Sequence, residues 1–246
     1  MNFSIPKDIE MSKQASWCPG CGHGIVCRVI AEAVEELDVS DKIITVDDVA
    51  CGQFGQFALK YNTIMGAHGR VVATAAGVKR VRPETLVIAR PGDGSAYSIG
   101  IESTLYSALR NETILTIVIN NSVFGMTGGQ MSPTSLYGMK TATSPAGRDI
   151  KHDGSMVDIA KILAGTDMAY MARCAVNTPA NTEKAKQAIK KALKKNMNGE
   201  GFCLVEILSM CPTNWNLSAV DACDYVKNVQ SKALPLGEFI NREGDE

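Results

Sequence analysis

The sequence predicts an α/β fold built on a doubly wound, mostly parallel sheet. Two observations carry that expectation. Short apolar runs alternate with helix-patterned segments along most of the chain, an order that pairs strands in parallel and lays helices on both faces. Two of the runs, Ile114–Ile119 and Phe202–Leu208, are apolar but for Thr116 and Glu206, as in strands buried on both faces. With 246 residues the chain suits one large domain with a sizeable core, here bounded as residues 1–246 with an N-terminal arm (1–24) and a C-terminal tail (212–246).

The elements follow in order. Residues before about 24 lack periodicity and read as an arm. Ile25, Val29, Ala33 and Leu37 form one stripe of a helix over Ile25–Leu37. Lys42–Val46 is a short strand, and the glycine-rich Cys51–Gly69 reads as loop and short helix. Val71–Val81 is a helix. Thr85–Ala89 is a strand that runs into Pro91-Gly92-Asp93-Gly94, and Ser98–Leu109 is a helix. The long Gly, Ser, Thr and Pro-rich stretch Asn120–Asp153 is the kind of loop that is often functional. A helix near Met156–Leu163, a strand near Met168–Arg173, a helix over Thr182–Lys195 and the strand Phe202–Leu208 complete the pattern. From Cys211 onward no strong pattern is seen.

Composition narrows the class. The chain is 45% hydrophobic and 21% charged, with a net charge of −1 that asks for neither nucleic acid nor an anionic membrane. No apolar run is long enough for a membrane helix, and the N-terminus lacks the pattern of a signal peptide, so a cytoplasmic location is expected. In that reducing compartment the eight cysteines are free thiols or metal ligands rather than disulfides.

In an open α/β sheet ligands bind at the carboxyl ends of the strands. Gly92-Asp93-Gly94 follows one strand and Asn120-Asn121 the next, so both fall at that edge. The Asp93 carboxylate, the Asn121 amide oxygen and the Val123 carbonyl are hard oxygens of the kind magnesium takes, with phosphate oxygens completing its shell. Gly92 and Gly94 bring backbone N–H groups close, Ser95 adds a hydroxyl, and the following helix offers its positive end to an anion. Gly125, Met126 and Thr127 extend the cradle. Two unrelated turns are the plain alternative.

Cys18-Pro19-Gly20-Cys21 alone fits half a zinc site, a redox dithiol or half an iron–sulfur site. Cys51 and Cys211 each lie just beyond a strand and can reach the same edge, where four thiolates would complete a [4Fe–4S] cluster. Cys223 competes for the fourth place. Cys27, Cys174 and Cys203 read as structural.

The Gly-Asp-Gly to Asn-Asn spacing is similar to the thiamine-diphosphate motif. Together with Trp17-Cys18-Pro19-Gly20-Cys21-Gly22-His23-Gly24, Cys51-Gly52, Ala67-His68-Gly69-Arg70 and Cys211-Pro212-Thr213, in that order, it resembles the β subunit of the 2-oxoacid:ferredoxin oxidoreductases over nearly the whole chain. The resemblance implies the diphosphate-domain fold, with Cys18, Cys21, Cys51 and Cys211 holding a [4Fe–4S] cluster. It implies that Asp93, Asn121 and Val123 hold Mg2+, that Asp48, Val49, Ala50, Cys51, Gly52 and His68 line thiamine diphosphate, and that His68 is catalytic. The implied reaction turns a 2-oxoacid and coenzyme A into acyl-CoA and CO2, with electrons leaving to ferredoxin. The glutamate that activates thiamine is not recognisable here. An α subunit carrying the pyrimidine-binding domain is therefore implied, with γ and ferredoxin-like δ subunits as further partners. The loop Gly128–Asp149 is similar to loops of branched-chain 2-oxoacid enzymes, though Ala146 stands where such loops carry tyrosine. An Arg148 that paired a distal carboxylate would favour 2-oxoglutarate instead. His23 is a candidate for tuning the cluster, His152 has no assigned role, and the lysines of Thr182–Lys195 read as a solvated face or a ferredoxin-docking patch. A non-oxidative thiamine enzyme and a zinc-stabilised binding protein are the alternatives.

Overall fold

The structure is a computed structural model that describes residues 4–13 and 16–242. Of the arm expected over 1–24, residues 1–3 and 14–15 lie outside the described residues, as do residues 243–246 of the tail. The strands are β1 (Ile43–Asp48), β2 (Asn62–Gly66), β3 (Leu86–Arg90), β4 (Leu115–Asn120), β5 (Val123–Phe124), β6 (Gln130–Met131), β7 (Tyr170–Ala175), β8 (Cys203–Leu208) and β9 (Gly237–Asn241). The helices that matter below are α1 (His23–Glu36), α2 (Gly55–Ala58), α3 (Val71–Val81), α4 (Ile101–Leu109), α5 (Ile150–Asp153), α6 (Ile159–Leu163), α7 (Pro179–Met197), α8 (Pro212–Trp215) and α9 (Ala219–Tyr225).

Seven strands form one sheet in the order β2-β1-β3-β4-β8-β7-β9, while β5 and β6 make a separate hairpin. Every neighbouring pair in the sheet is parallel except β7 and β9. Strand alternation sends Ile88, Ile117 and Val205 to one face, where they meet Ile30 of α1 and Ile189 and Leu193 of α7. Val87, Val118 and Leu204 point to the other face and pack with Val72 of α3, Ala108 of α4 and Leu163 of α6. Both faces are covered, which is why β4 and β8 are mostly apolar and buried at every position, with Thr116, Asn120 and Glu206 as the polar exceptions.

The ends differ from the sequence expectation for local reasons. The final helix starts at Pro179 rather than Thr182, because Thr178 caps it by accepting the Asn181 N–H at 3.2 Å and proline suits the first turn. The helix expected from Met156 is only Ile159–Leu163. Ser95–Ile99 forms a π-helical turn ahead of α4, so the helical run begins one turn earlier than its apolar spacing indicates. Residues 211–242 of the tail, which has no visible sequence pattern, hold α8, α9, a second π-helical turn at Val226–Gln230 and the antiparallel edge strand β9. No described helix is long and apolar enough to cross a membrane.

Chain order reverses at β1, since β2 lies on one side of it and β3 on the other. The crevice at the carboxyl ends of β1 and β3 is thus a topological switch point, where an open sheet leaves room for a ligand. Asp47 and Arg90 stand in register across this pair of strands. Arg90 Nε donates to Asp47 Oδ1 at 2.7 Å, its Nη2 pairs with Oδ2, and its Nη1 reaches Cys27 Sγ at 3.1 Å. The guanidinium fills space that leaves nothing for a side chain at Gly55, whose Cβ would lie 1.8 Å from Arg90 Nη2. Removing one partner of a fully buried pair strands the other charge. Asp47→Ala is therefore expected to cost about 3–5 kcal/mol, whereas Asp47→Leu combined with Arg90→Met loses much less. Urea unfolding monitored by circular dichroism checks both.

Candidate active site

A cavity of about 250 Å³ opens at the switch point. Asp48, Val49, Ala50, Cys51 and Gly52 reach it from the turn after β1, and His68 from the loop after β2. Gly92, Asp93, Gly94 and Ser95 enter from the end of β3, and Asn121, Val123, Gly125, Met126 and Thr127 from the segment after β4. Every residue expected to contact thiamine diphosphate or magnesium thus lines one cavity. Three residues not expected there line it too, namely His23, Ile119 and Phe124. Two larger grooves, about 640 and 850 Å³, run along α7 and contain none of the expected cofactor residues. Size alone therefore does not mark the site.

At the β1 end, His68 Nδ1 lies 3.1 Å from Asp48 Oδ1. The Gly92 N–H approaches Asp48 Oδ2 at 3.4 Å, and the Gly69 N–H donates to Ser95 Oγ at 2.9 Å. Burial pushes the Asp48 carboxyl above its ordinary range, and the contacts from His68, Ser95 and Gly92 oppose that shift. An ionised Asp48 would accept the Nδ1–H and so orient the ring, with Nε2 left unpaired by this contact.

At the β3 and β4 ends the donors are oxygens. Asp93 is 1% exposed, and both Ser132 Oγ and Thr134 Oγ1 donate to its Oδ2, at 2.6 and 2.5 Å. Burial nevertheless pushes its pKa up to about 6, and no basic side chain pairs with it among the described residues. A buried carboxylate supplied only with hydroxyls is what a bound cation would complete. Asn121 is buried beside it, with Oδ1 accepting the Val123 N–H at 3.3 Å and its carbonyl accepting Trp215 Nε1–H at 3.1 Å. Ser122 between them adopts φ 58°, which swings Asn121 and Val123 to the cavity. The donor set of Asp93, Asn121 and the Val123 carbonyl fits a magnesium ion carrying phosphate oxygens. The two glycines of the turn differ. A Cβ at Gly92 meets nothing nearer than 3.9 Å, so the space over it is left for a ligand, whereas at Gly94 the Phe124 ring would stand 2.2 Å away.

Cys18, Cys21, Cys51 and Cys211 converge beside this cavity. In each of the six pairs among them, ionisation of one thiol opposes ionisation of another. Burial, reinforced by these neighbours, pushes Cys21 up to about 12 and Cys51 to about 11. Asn214 Nδ2 reaches Cys211 Sγ at 3.3 Å and Trp17 Nε1 donates to the Cys51 carbonyl at 2.8 Å. Among the described residues no three His, Cys, Asp or Glu side chains stand close enough to bind a single metal ion. Cys223 lines the groove beside α1 instead, away from the other four. Cys27 and Cys203 are buried in the core, and Cys174 lines the groove along α7.

His23 joins both parts of the site. Its Nδ1 is 3.3 Å from Cys21 Sγ, its ring stacks on Trp17 at 6.2 Å, and it lines the cavity. Burial, with Arg90 nearby, pushes its pKa down to about 4. An unfolded histidine titrates near 6.5. The unfolded chain therefore takes up a proton that the fold refuses, and His23 makes stability fall as pH drops from about 6.5 to about 4. His23→Gln is expected to flatten the stability–pH curve of the apo chain across that window by one proton, as read by urea unfolding at several pH values.

Two other groups noted in the sequence have local partners. The Arg148 guanidinium donates to the carbonyls of Pro133 (2.9 Å), Ser135 (2.8 Å) and Ser155 (3.0 Å), so it staples the long loop. Four lysines of α7, Lys186, Lys190, Lys191 and Lys195, are paired with carboxylates of Glu36, Glu238 and Glu200, which leaves little free positive charge on this helix.

Residues 49–207 match the thiamine pyrophosphate enzyme C-terminal TPP binding domain. The chain is 34% identical over 234 residues to the 2-oxoglutarate synthase subunit KorB of Methanocaldococcus jannaschii, covering 94% of this chain and 82% of that protein. The chain belongs to the 2-oxoacid:ferredoxin oxidoreductase subunits. Within that family it is also 35% identical over 230 residues to the ketoisovalerate oxidoreductase subunit VorA of Methanothermobacter thermautotrophicus, covering 93% of this chain and 48% of VorA. The chain thus spans about half the length of that relative. The 2-oxoglutarate:ferredoxin oxidoreductase of Magnetococcus marinus, solved with 2-oxoglutarate, coenzyme A and succinyl-CoA bound, superimposes with a TM-score of 0.78 at 25% identity, over all of this chain and 87% of that one. The fold expected for a 2-oxoacid:ferredoxin oxidoreductase subunit is the fold found.

Proposed function

We propose that this chain is the β subunit of a complex that oxidatively decarboxylates a 2-oxoacid to acyl-CoA and CO2 and passes the electrons to ferredoxin. The observation that carries this reading is the junction at Cys51. It lines the diphosphate cavity and also stands among the four converging thiols. A non-oxidative thiamine enzyme gives those thiols nothing to do.

Thiamine diphosphate, when bound, supplies the electron sink for loss of CO2. Asp93, Asn121 and the Val123 carbonyl would hold Mg2+ and through it the diphosphate. The open backbone at Gly92 and the Ser95 hydroxyl support the phosphates. Asp48 fixes His68, which as the catalytic histidine holds or moves a proton at Nε2. Cys18, Cys21, Cys51 and Cys211 would hold a [4Fe–4S] cluster, which would supply one-electron acceptance. The partners of this reading are an α subunit supplying the pyrimidine-binding domain, γ and δ subunits, ferredoxin and coenzyme A, in a reducing cytoplasm that suits eight free cysteines.

A branched-chain 2-oxoacid is the favoured substrate. Arg148 is committed to backbone carbonyls, and Val49 and Met126 place exposed apolar groups at the cavity. The second reading, 2-oxoglutarate, rests on relatives and a solved structure that carry that name.

Anaerobically purified complex is expected to be brown, to bleach with dithionite and to contain iron and acid-labile sulfide. A colourless protein with stoichiometric zinc would overturn the assignment. Cys211→Ser is expected to lose the visible absorbance while keeping magnesium-dependent thiamine diphosphate uptake. Asp93→Asn is expected to show the reverse pattern. Turnover with 2-oxoisovalerate above that with 2-oxoglutarate decides the substrate.

A further inference from the structure

The first asparagine of Asn120-Asn121 does not line the cavity, and it is completely buried. Its side chain is held from β8, a strand that gives no residue to the site. Asn120 Nδ2 donates to Glu206 Oε1 at 2.8 Å, while Glu206 Oε2 accepts from Arg173 Nε at 2.5 Å. Glu206 and Arg173 are both 1% exposed and stand in register across β7 and β8. Arg173 is further fixed by Asp158 Oδ1 at 2.6 Å and by the Pro235 carbonyl at 3.3 Å. One carboxylate therefore has a separate task for each oxygen.

The orientation of the Asn120 amide follows from that contact. With Nδ2 turned to Glu206, Oδ1 must face the other way. There it accepts the Ser122 N–H at 3.0 Å and lies 3.0 Å from Thr134 Oγ1, the hydroxyl that also serves Asp93. The Ser122 N–H bond closes the turn that holds Ser122 at φ 58°, and this turn aims Asn121 and Val123 at the cavity. Gln230, from the tail, braces the same corner by donating to the Asn120 carbonyl at 3.2 Å and to Ser122 Oγ at 3.0 Å. An asparagine flipped by 180° would present its N–H2 to the Ser122 N–H, donor against donor, and the corner would open.

We propose that Glu206 is a positioning residue for the metal–diphosphate site: it sets the Asn120 amide and thereby the turn that presents Asn121 and the Val123 carbonyl. This rests on the reading of the cavity as a magnesium–diphosphate site. Glu206 acts without touching the ligand, in the way that outer partners of metal ligands govern affinity.

A swap of donor and acceptor tests it in the full chain assembled with its partner subunits. Glu206→Gln forces a choice between Arg173 and Asn120, and Asn120→Asp sets carboxylate against carboxylate. Together the two substitutions restore one donor facing one acceptor, because the new amide at position 206 donates to the new carboxylate at 120 and still accepts from Arg173. Two measurements are made. Hydrogen exchange of a peptide covering residues 120–124, without cofactor, reads the corner itself. Isothermal titration with thiamine diphosphate at saturating Mg2+ reads the site. Each single variant is expected to exchange faster at that peptide and to bind about tenfold or more weakly, and the double variant is expected to recover both. Singles that match the wild type in exchange and affinity would overturn the proposal, as would a double variant no better than the worse single. Faster exchange spread evenly over the sheet would also overturn it, since it marks Glu206 as a general stabiliser. Wild-type complex that takes up no Mg2+ and thiamine diphosphate refutes the cavity reading instead, while recovered exchange in the double variant still separates that failure from failure of the Glu206–Asn120 link.

Discussion

The structure depends on how it disposes of carboxylates at the carboxyl ends of a buried parallel sheet. Asp47, Asp48, Asp93 and Glu206 all lie there, each nearly or completely shielded from water. Ionised groups in such places need a partner. Two receive an arginine from the neighbouring strand, Asp47 from Arg90 and Glu206 from Arg173. The other two receive less. Asp48 has a half-buried histidine, and Asp93 has two hydroxyls. The fold thus neutralises the carboxylates that hold it together and leaves short of charge those that face the cavity. The imbalance itself marks the site, more clearly than cavity volume does.

The same edge gathers the sulfur. Cys51 follows β1 and Cys211 follows β8, so two thiols are placed by the sheet, while Cys18 and Cys21 are brought in by the arm that leads to α1. The Gly22 N–H bonds to the Met210 carbonyl at 3.2 Å, which ties the arm to the segment after β8. His23, first residue of α1, then lies against both the Cys21 sulfur and the cavity. Electron acceptance and cofactor binding, in the proposed reading, share a wall one residue thick.

Much of this was legible in the sequence. The central strands could be read because burial on both faces demands mostly apolar runs. The meeting of Asp93 and Asn121 could be read because motifs at strand ends share an edge whatever the details between them, whereas Asp48 and His68 came from the family resemblance. The edge strands β2 and β9 could not. Asn62–Gly66 and Gly237–Asn241 are largely exposed, so packing imposes no apolar pattern on them. The tail was hidden for a related reason. Its helices are short, and what fixes them is tertiary, such as Trp215 tilted against Tyr225 with ring centroids 4.8 Å apart and Gln230 bonded beneath the Asn120 corner. The role of Phe124 over Gly94 was equally invisible, although Gly94 itself drew notice for its motif. Arg148 shows the converse, since an arginine in a functional-looking loop spends its donors on that loop's own carbonyls.

The closeness of Arg90 to Gly55 bears on how such a chain can change over generations. A side chain at position 55 has no room while the guanidinium is present, yet the guanidinium is held only because Asp47 answers it. Substitutions at the three positions are therefore ordered in time. Position 55 becomes free to vary only after 90 has shortened, and 90 and 47 have to change together, because losing either one alone strands the other's charge. A lineage that has acquired a larger residue at 55 should carry the record of the other two replacements, and its way back to arginine is closed.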